Sequence, residues 1–203
     1  MRKLIVPAFI SIDGVIQAPG NPEEDAGGGF VLGGWFWPYA DESTDAMDDL
    51  FQRPFELLLG RRTCDIFAGF WPHVAEDSPL RQTADLFNGT IKHVATHHPG
   101  TLDWKHSRGL GPDVAAAVRE LKRSDGPDLL VQGSSDLVHQ LLATDLVDEL
   151  ILIVVPILLG KGKRLFDDGT QPAAFRLEGS KASTKGNVVI RYVREGEVRT
   201  ASM

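Results

Sequence analysis

The sequence predicts an α/β protein built on a mainly parallel central sheet flanked by helices. Three observations predict it. Strand-length runs rich in Val, Ile and Leu recur at residues 4–10, 55–59, 91–95, 129–132, 150–155 and 188–193. Segments with helical spacing lie between several of them, at 45–52, 113–123 and 135–146. The last two runs are joined only by a long irregular segment, which predicts antiparallel pairing at a C-terminal sheet edge. With 203 residues, 42% of them hydrophobic, the chain can bury one sizeable core, so a single domain over 1–203 is expected.

Each element has its own signal. The opening "MRKLIVPAFISIDG" places two positive charges before an apolar run, but Pro7 and Asp13 break that run. It is too short for a leader or membrane segment and reads as a first strand. Residues 17–40 are dense in Gly and Pro yet carry Phe30, Trp35, Phe36, Trp37 and Tyr39. That much aromatic area predicts either an Ω-like lid or a surface that stacks on a planar ligand. Asp41, Glu42, Asp45, Asp48 and Asp49 crowd the start of the 45–52 helix, where its dipole accounts for some of them. In the 135–146 helix Leu137, Leu141 and Leu142 share one face, and Asp136, His139 and Gln140 lie off it, as suits a helix covering a sheet.

Charge and composition remove several classes of function. A formal net charge of −7 and a pI near 5.3 leave no basic face for nucleic acid. The only Lys/Arg-rich block is Lys161 to Arg164, in the glycine loop "LLGKGKRLF", read first as a solvated turn and second as a receptor for a substrate phosphate. The longest apolar stretch contains a proline and predicts no membrane span. Cys64 stands alone, which suits a reducing, cytoplasmic setting. His93, His97 and His98 have no cysteine or carboxylate partners at metal-ligand spacing, so no metal is expected. No G-x-S-x-G elbow supports a hydrolase. Small molecules, or other protein chains, are the expected partners.

Two strand-to-helix turns carry the chemistry. The 55–59 strand ends at Gly60, and Arg61, Arg62 and Thr63 open a short helix through Asp65 and Ile66. Helix-start N–H groups beside two guanidinium groups suit a phosphate, with an N-capping Thr63 and solvated arginines as the equal alternative. The 129–132 strand ends likewise at Gly133, with Ser134 or Ser135 placed to cap the helix that follows. Neither turn is a G-x-G-x-x-G fingerprint or a P-loop. Their recurrence at strand carboxyl ends, where α/β sheets gather ligands, gives them weight.

Taken together, "GRRTCDIFAGFWP" (60–72), "LLVQGSSDLVHQLL" (129–142) and "LVDELILIVVPILLGKGKRLF" (146–166) resemble the dihydrofolate-reductase-like family that includes the reductase domain of bacterial riboflavin biosynthesis. "ISIDGVI" (10–16) resembles the family's first strand and following turn, and "GGW" (33–35) matches a loop common in its stand-alone single-domain branch. The resemblance covers almost the whole chain and implies a three-layer fold, an NADPH-dependent reductase and a homodimer. It implies pyrophosphate and 2′-phosphate contacts at Gly60, Arg61, Arg62 and Thr63, and adenosine contacts at Thr96 and His97. It places Gly133, Ser134, Ser135, Asp136 and Leu137 under the pyrophosphate and nicotinamide, with Ala8 and Ile16 bordering the nicotinamide.

The chain departs from the family where serines replace a run of glycines, and where Asp136 stands in place of a cation. Asp45 and Asp48 are the candidate catalytic carboxylates, and Trp35, Trp37 and Trp71 the candidate substrate-closing residues. The implied substrate is a small pyrimidine- or pterin-like heterocycle. Two other readings stand beside it: a 5-amino-6-(5-phosphoribosylamino)uracil reductase of the riboflavin pathway, and a non-catalytic nucleotide-binding homologue. The zinc motif of the fused deaminase is absent, so the chain is not expected to deaminate.

Overall fold

The computed structural model describes residues 1–201. Its strands are β1 (Leu4–Ser11), β2 (Phe55–Gly60), β3 (Lys92–Ala95), β4 (Ser107–Gly109), β5 (Asp128–Val131), β6 (Glu149–Val155), β7 (Ala174–Ala182) and β8 (Val188–Gly196). Its α-helices are α1 (Asp45–Phe51), α2 (Arg61–Phe70), α3 (Arg81–Gly89), α4 (Val114–Arg123) and α5 (Ser135–Ala143). The strands form one eight-stranded sheet in the order β4-β3-β2-β5-β1-β6-β8-β7. β1 to β6 pair in parallel, and β8 and then β7 continue the sheet antiparallel.

All six apolar runs became strands: five lie in the parallel part of the sheet, where strands covered on both faces are largely apolar, and 188–193 became the half-buried antiparallel β8. The antiparallel ending is also present, with one correction. The outer edge is β7, which lies inside the segment read as irregular. It pairs on one side only and is mostly exposed, so its sequence "AFRLEGSKA" carries no apolar run. α3 was likewise unread, since only Ala84 and Phe87 turn inward, and α2 runs well past Ile66 to Phe70.

Two apolar layers cover the sheet. Leu50 of α1, Cys64 and Phe67 of α2 and Phe87 of α3 pack on Ile5, Leu57, Leu59 and Leu130. Val118 of α4 and Leu137, Val138, Leu141 and Leu142 of α5 pack on Leu4, Val6, Leu58, Leu129 and Val131. The helices that follow β1 and β2 therefore lie on one face, and the helix that follows β5 lies on the other. The helix cover thus changes face beside β5, the position at whose carboxyl end α/β sheets gather ligands.

A proline limits the pairing of β1 with β5. The Lys3 carbonyl accepts from Leu129 N–H, and the Leu4 carbonyl accepts from Asp148 N–H. Odd-numbered backbone groups of β1 thus face β5, and the N–H that Pro7 lacks is one that β5 would have used. Pairing of β1 with β5 stops at Ile5, whereas pairing with β6 runs on to Ser11.

The amino ends of the strands are held by buried charge. Arg2 pairs with Glu56, which also meets His93 Nε2 at 2.7 Å. Glu149, fully buried, is held by Lys3 and by Arg191 at 2.7 Å. Lys92 is buried without a carboxylate: its Nζ donates to the Asn88 and Lys105 carbonyls, each at 2.9 Å, and lies 4.3 Å over the Trp104 ring. Desolvation pushes its pKa from 10.5 down to about 8.

The folded protein therefore releases this proton at lower pH than the unfolded chain does. The stability tied to Lys92 is greatest above pH 10.5 and is lost as pH falls through about 8. Urea denaturation at about pH 7 and about pH 10 should show the wild type gaining stability relative to Lys92→Met over that interval; parallel profiles would refute the assignment.

Candidate active site

The two expected turns meet. A Cβ placed on Gly60 would lie 2.1 Å from Ser134 Oγ and 3.1 Å from Ser134 Cβ. Gly133, at φ +63°, would in turn bring a Cβ to 3.2 Å from Thr63 Cγ2. Each turn thus depends on a glycine to admit a side chain of the other. Ser134 itself is held in the left-handed region at φ 60° and ψ 69°, where a residue with a Cβ is strained.

That conformation corrects one expectation. Neither serine caps α5, and no side chain caps α2. In contrast, the Asp113 carboxylate caps α4 by accepting from Ala116 N–H at 2.9 Å. The first-turn N–H groups of α2 and α5 are therefore left without side-chain acceptors beside a glycine-lined contact, which suits an anionic group. Gln132, the last residue before the turn, adds a buried Nε2 with no hydrogen-bond partner. It was not singled out in the sequence; the available signal was an amide ending an otherwise apolar core strand.

The two arginines diverge. Arg61 Nε binds both Asp65 oxygens at 2.8 and 2.9 Å, and its Nη1 donates to Thr101 Oγ1 at 2.6 Å and to the His98 carbonyl at 3.3 Å. It thereby points to the exit of β3, where Thr96 is buried and accepts from His98 N–H at 3.0 Å, and His97 is exposed. Arg62 turns the other way and pairs with Asp25 in the 17–40 loop. Asp136 is exposed in the first turn of α5, and Leu137 is core, so only its backbone can face a ligand. Ala8 and Ile16 are half-buried against the α5-side core.

The candidate carboxylates Asp45 and Asp48 are both exposed. α1 packs on the sheet through Met47 and Leu50, and the helical period turns the two carboxylates outward. The neighbouring acids serve the loops. Asp41 accepts from Ser43 N–H, Lys185 N–H and Asn187 Nδ2 at 2.9, 2.8 and 3.0 Å. Burial works against its charge, but these donors outweigh it and hold the carboxyl well below the usual range. Glu42 accepts from Thr184 N–H at 2.8 Å.

The three tryptophans do not form one wall. Trp35 is buried with Phe30 and Phe36 over Val15 and Val155 and donates Nε1–H to the Gln17 carbonyl at 2.8 Å. It is the core of an Ω-like loop. Trp37 is 49% exposed. Trp71 packs on Phe67 and Phe87 in the α2–α3 layer, apart from both. Of the basic block, Lys163 joins Asp25 at 2.6 Å, whereas Arg164 lies 3.7 Å from Asp13. Among the described residues no group of three or more His, Cys, Asp or Glu is placed to hold a metal ion, and no helix is long and apolar enough to cross a membrane.

Because the contact between the turns is so tight, Gly60→Ala should destabilise the protein by about 1–3 kcal/mol, as overpacking does. Ser134→Gly, which removes both the obstructing side chain and the strained Cβ, should recover most of that loss in the double variant. Additive effects in urea denaturation would show that the turns are not interlocked.

Comparison with known proteins bears on the family and the fold. The family model described as RibD C-terminal domain matches residues 2–189. Two uncharacterized proteins of Bacillus subtilis (strain 168) are similar over nearly their whole length: YwjB at 26% identity (95% of this chain, 98% of that one) and YyaP at 25% (94% of each). Among solved structures, a putative riboflavin biosynthesis protein from Shewanella sp. PV-4 superposes with a TM-score of 0.69 at 20% identity, covering 95% of this chain and 99% of that one. A pyrimidine reductase-like protein from Corynebacterium diphtheriae gives 0.57 at 17%, covering 98% and 93%. A dihydrofolate reductase from Enterococcus faecalis, complexed with NADP(H), gives 0.57 at 12%, covering 95% and 96%. The fold is dihydrofolate-reductase-like, and the chain belongs to the RibD C-terminal domain family.

Proposed function

We propose that the protein is an NADPH-dependent reductase that delivers a hydride to a small pyrimidine- or pterin-like heterocycle. The observation that carries this reading is the interlock of Gly60 with Ser134, which sets two uncapped helix starts side by side at the sheet's carboxyl end. One diphosphate would meet both sets of N–H groups there. The reductase-like family and fold support the same reading.

The residues present fit such a cofactor. Gly60 and Gly133 keep the cradle clear of Cβ atoms, and the backbone N–H groups of Arg61 to Thr63 and of Ser135 to Leu137 would hold the pyrophosphate. Arg61, reaching toward Thr101 and the Thr96–His97 turn, would hold the adenosine phosphate, while Asp136 faces solvent on another helix. When bound, the nicotinamide supplies the hydride, so the chain needs no nucleophile. Ala8, Ile16 and the Gln132 amide would border the reacting rings, and the packed 17–40 loop would exclude water beside them. Arg62 and Lys163 keep the riboflavin-pathway substrate, which bears a phosphate, within the range of this proposal.

A homodimer belongs to the same proposal. Its support is the bare outer edge of β7 together with the half-buried β8, which borders a 320 Å³ groove lined by Leu150, Leu152, Phe175 and Tyr192. Light scattering of the purified protein checks it; a monomer at micromolar concentration would remove it.

Titration with NADPH, followed by energy transfer from tryptophan, tests the cofactor. Arg61→Ala should weaken NADPH by about 10- to 100-fold, the loss of one or two charge-assisted hydrogen bonds, and NADH far less. Absence of binding by either nucleotide would end the enzyme reading.

A further inference from the structure

Arg62, Lys163 and Lys161 come together only through the fold. Arg62 is the second residue of α2, and the two lysines lie in the loop after β6. All three border the turn at Gly27–Gly29. The Asp25 carboxylate accepts from Gly27 N–H at 2.9 Å and from Lys163 Nζ at 2.6 Å, and it pairs with Arg62. Lys161 Nζ lies 3.5 Å from where a Cβ on Gly29 would stand. Gln17 pins the turn, its Nε2 donating to the Asp25 and Gly27 carbonyls at 2.9 Å and its Oε1 accepting from Lys163 N–H at 2.9 Å.

The charges in this cluster do not balance. Three cations border the turn, and Asp25 is the only carboxylate that touches them among the described residues. Glu24 is committed to the N–H groups of Gly20 and Asn21, and Asp13 to those of Leu159 and Gly160. Asp25 lies beneath the cations at 11% side-chain exposure, yet Arg62 and Lys163 remain 61% and 41% exposed. The outer sides of both cations are open to solvent, and a terminal phosphate group brings two charges and three acceptor oxygens to the same donors. Gly28 and Gly29, at φ +66° and +70°, hold the turn in a conformation open to glycine and leave its backbone free of side chains.

We propose that Arg62, Lys163 and the Gly27 N–H form an anion subsite that the Asp25 carboxylate fills from within, and that a phosphate group of a bound ligand takes it over. The subsite deepens the cofactor reading at Arg62. It rests on that reading only for which phosphate is bound, since the donors are the same for a dinucleotide bridge and for a phosphorylated substrate.

The test measures affinity for inorganic pyrophosphate, inorganic phosphate, NADPH and NADH by calorimetry at low salt. It uses the wild type, Asp25→Asn, Lys163→Ala and the double variant, each checked for wild-type circular dichroism. Asp25→Asn should bind pyrophosphate about fivefold or more tightly than wild type, because the internal competitor has lost its charge. Lys163→Ala should weaken binding and cancel that gain in the double variant. A gain shared by NADPH and NADH assigns the dinucleotide bridge, a gain for NADPH alone the 2′-phosphate, and a gain for the inorganic anions alone a substrate phosphate.

If Asp25→Asn folds and gains affinity for none of the four, Asp25 is only a brace for the loop and the proposal fails, even where the wild type binds NADPH. If the wild type binds neither nucleotide while Asp25→Asn gains pyrophosphate affinity, the cofactor reading fails and the subsite stands. Should Asp25→Asn not fold, Lys163→Ala and Lys161→Ala decide: unchanged pyrophosphate affinity in both overturns the proposal.

Discussion

The close approach of Gly60 to Ser134 is the constraint on which the upper half of the molecule depends. For the two turns to touch, β5 must end between β1 and β2 in a left-handed turn, and neither glycine position tolerates a Cβ without a shift. The helices then leave on opposite faces of the sheet, and their first-turn N–H groups stay near each other instead of being buried under side-chain caps. Pro7 contributes from the neighbouring strand. By withholding one donor it frees β1 from β5 above Ile5 while leaving the β6 ladder intact. The strain at Ser134 is sustained because the surrounding core, Leu137 and Val138 included, over-determines the backbone there.

Charge is divided along the strand direction. At the amino ends, Arg2, Lys3, Glu56, His93, Glu149 and Arg191 pair with each other, so burial leaves no lone carboxylate. At the carboxyl ends the cations are bound loosely: Arg61 to an exposed Asp65 and to backbone carbonyls, Arg62 and Lys163 to one shared carboxylate. A net charge of −7 would repel an anionic ligand from most of the surface, and this local surplus offsets it where the helix starts converge.

How legible the site was depended on how local each signal is. Gly60 and Gly133 could be read because a glycine at a strand end before helical spacing is a short-range pattern. For Asp45 and Asp48, position before Gly60 says nothing of which way the helix face turns; Met47 and Leu50 decided that by packing inward. Trp35, Trp37 and Trp71 were grouped by residue type, whereas the fold places Trp71 in a different layer. β7 escaped notice because an edge strand exposed on most of its length needs no apolar pattern. The link from Asp25 to Lys163 spans 138 residues and has no trace in either segment alone.

The sequence by itself determined the α/β class, the six apolar strands and the two glycine turns. These follow from periodicity, composition and backbone freedom, which act over a few residues. Only the tertiary structure decided that the turns interlock, that Arg61 and Arg62 point to opposite sides, and that Asp25 sits beneath two cations from separate segments. Each of those depends on side chains distant in the chain arriving within a few ångströms of one another, and only the packing of the whole sheet fixes such distances.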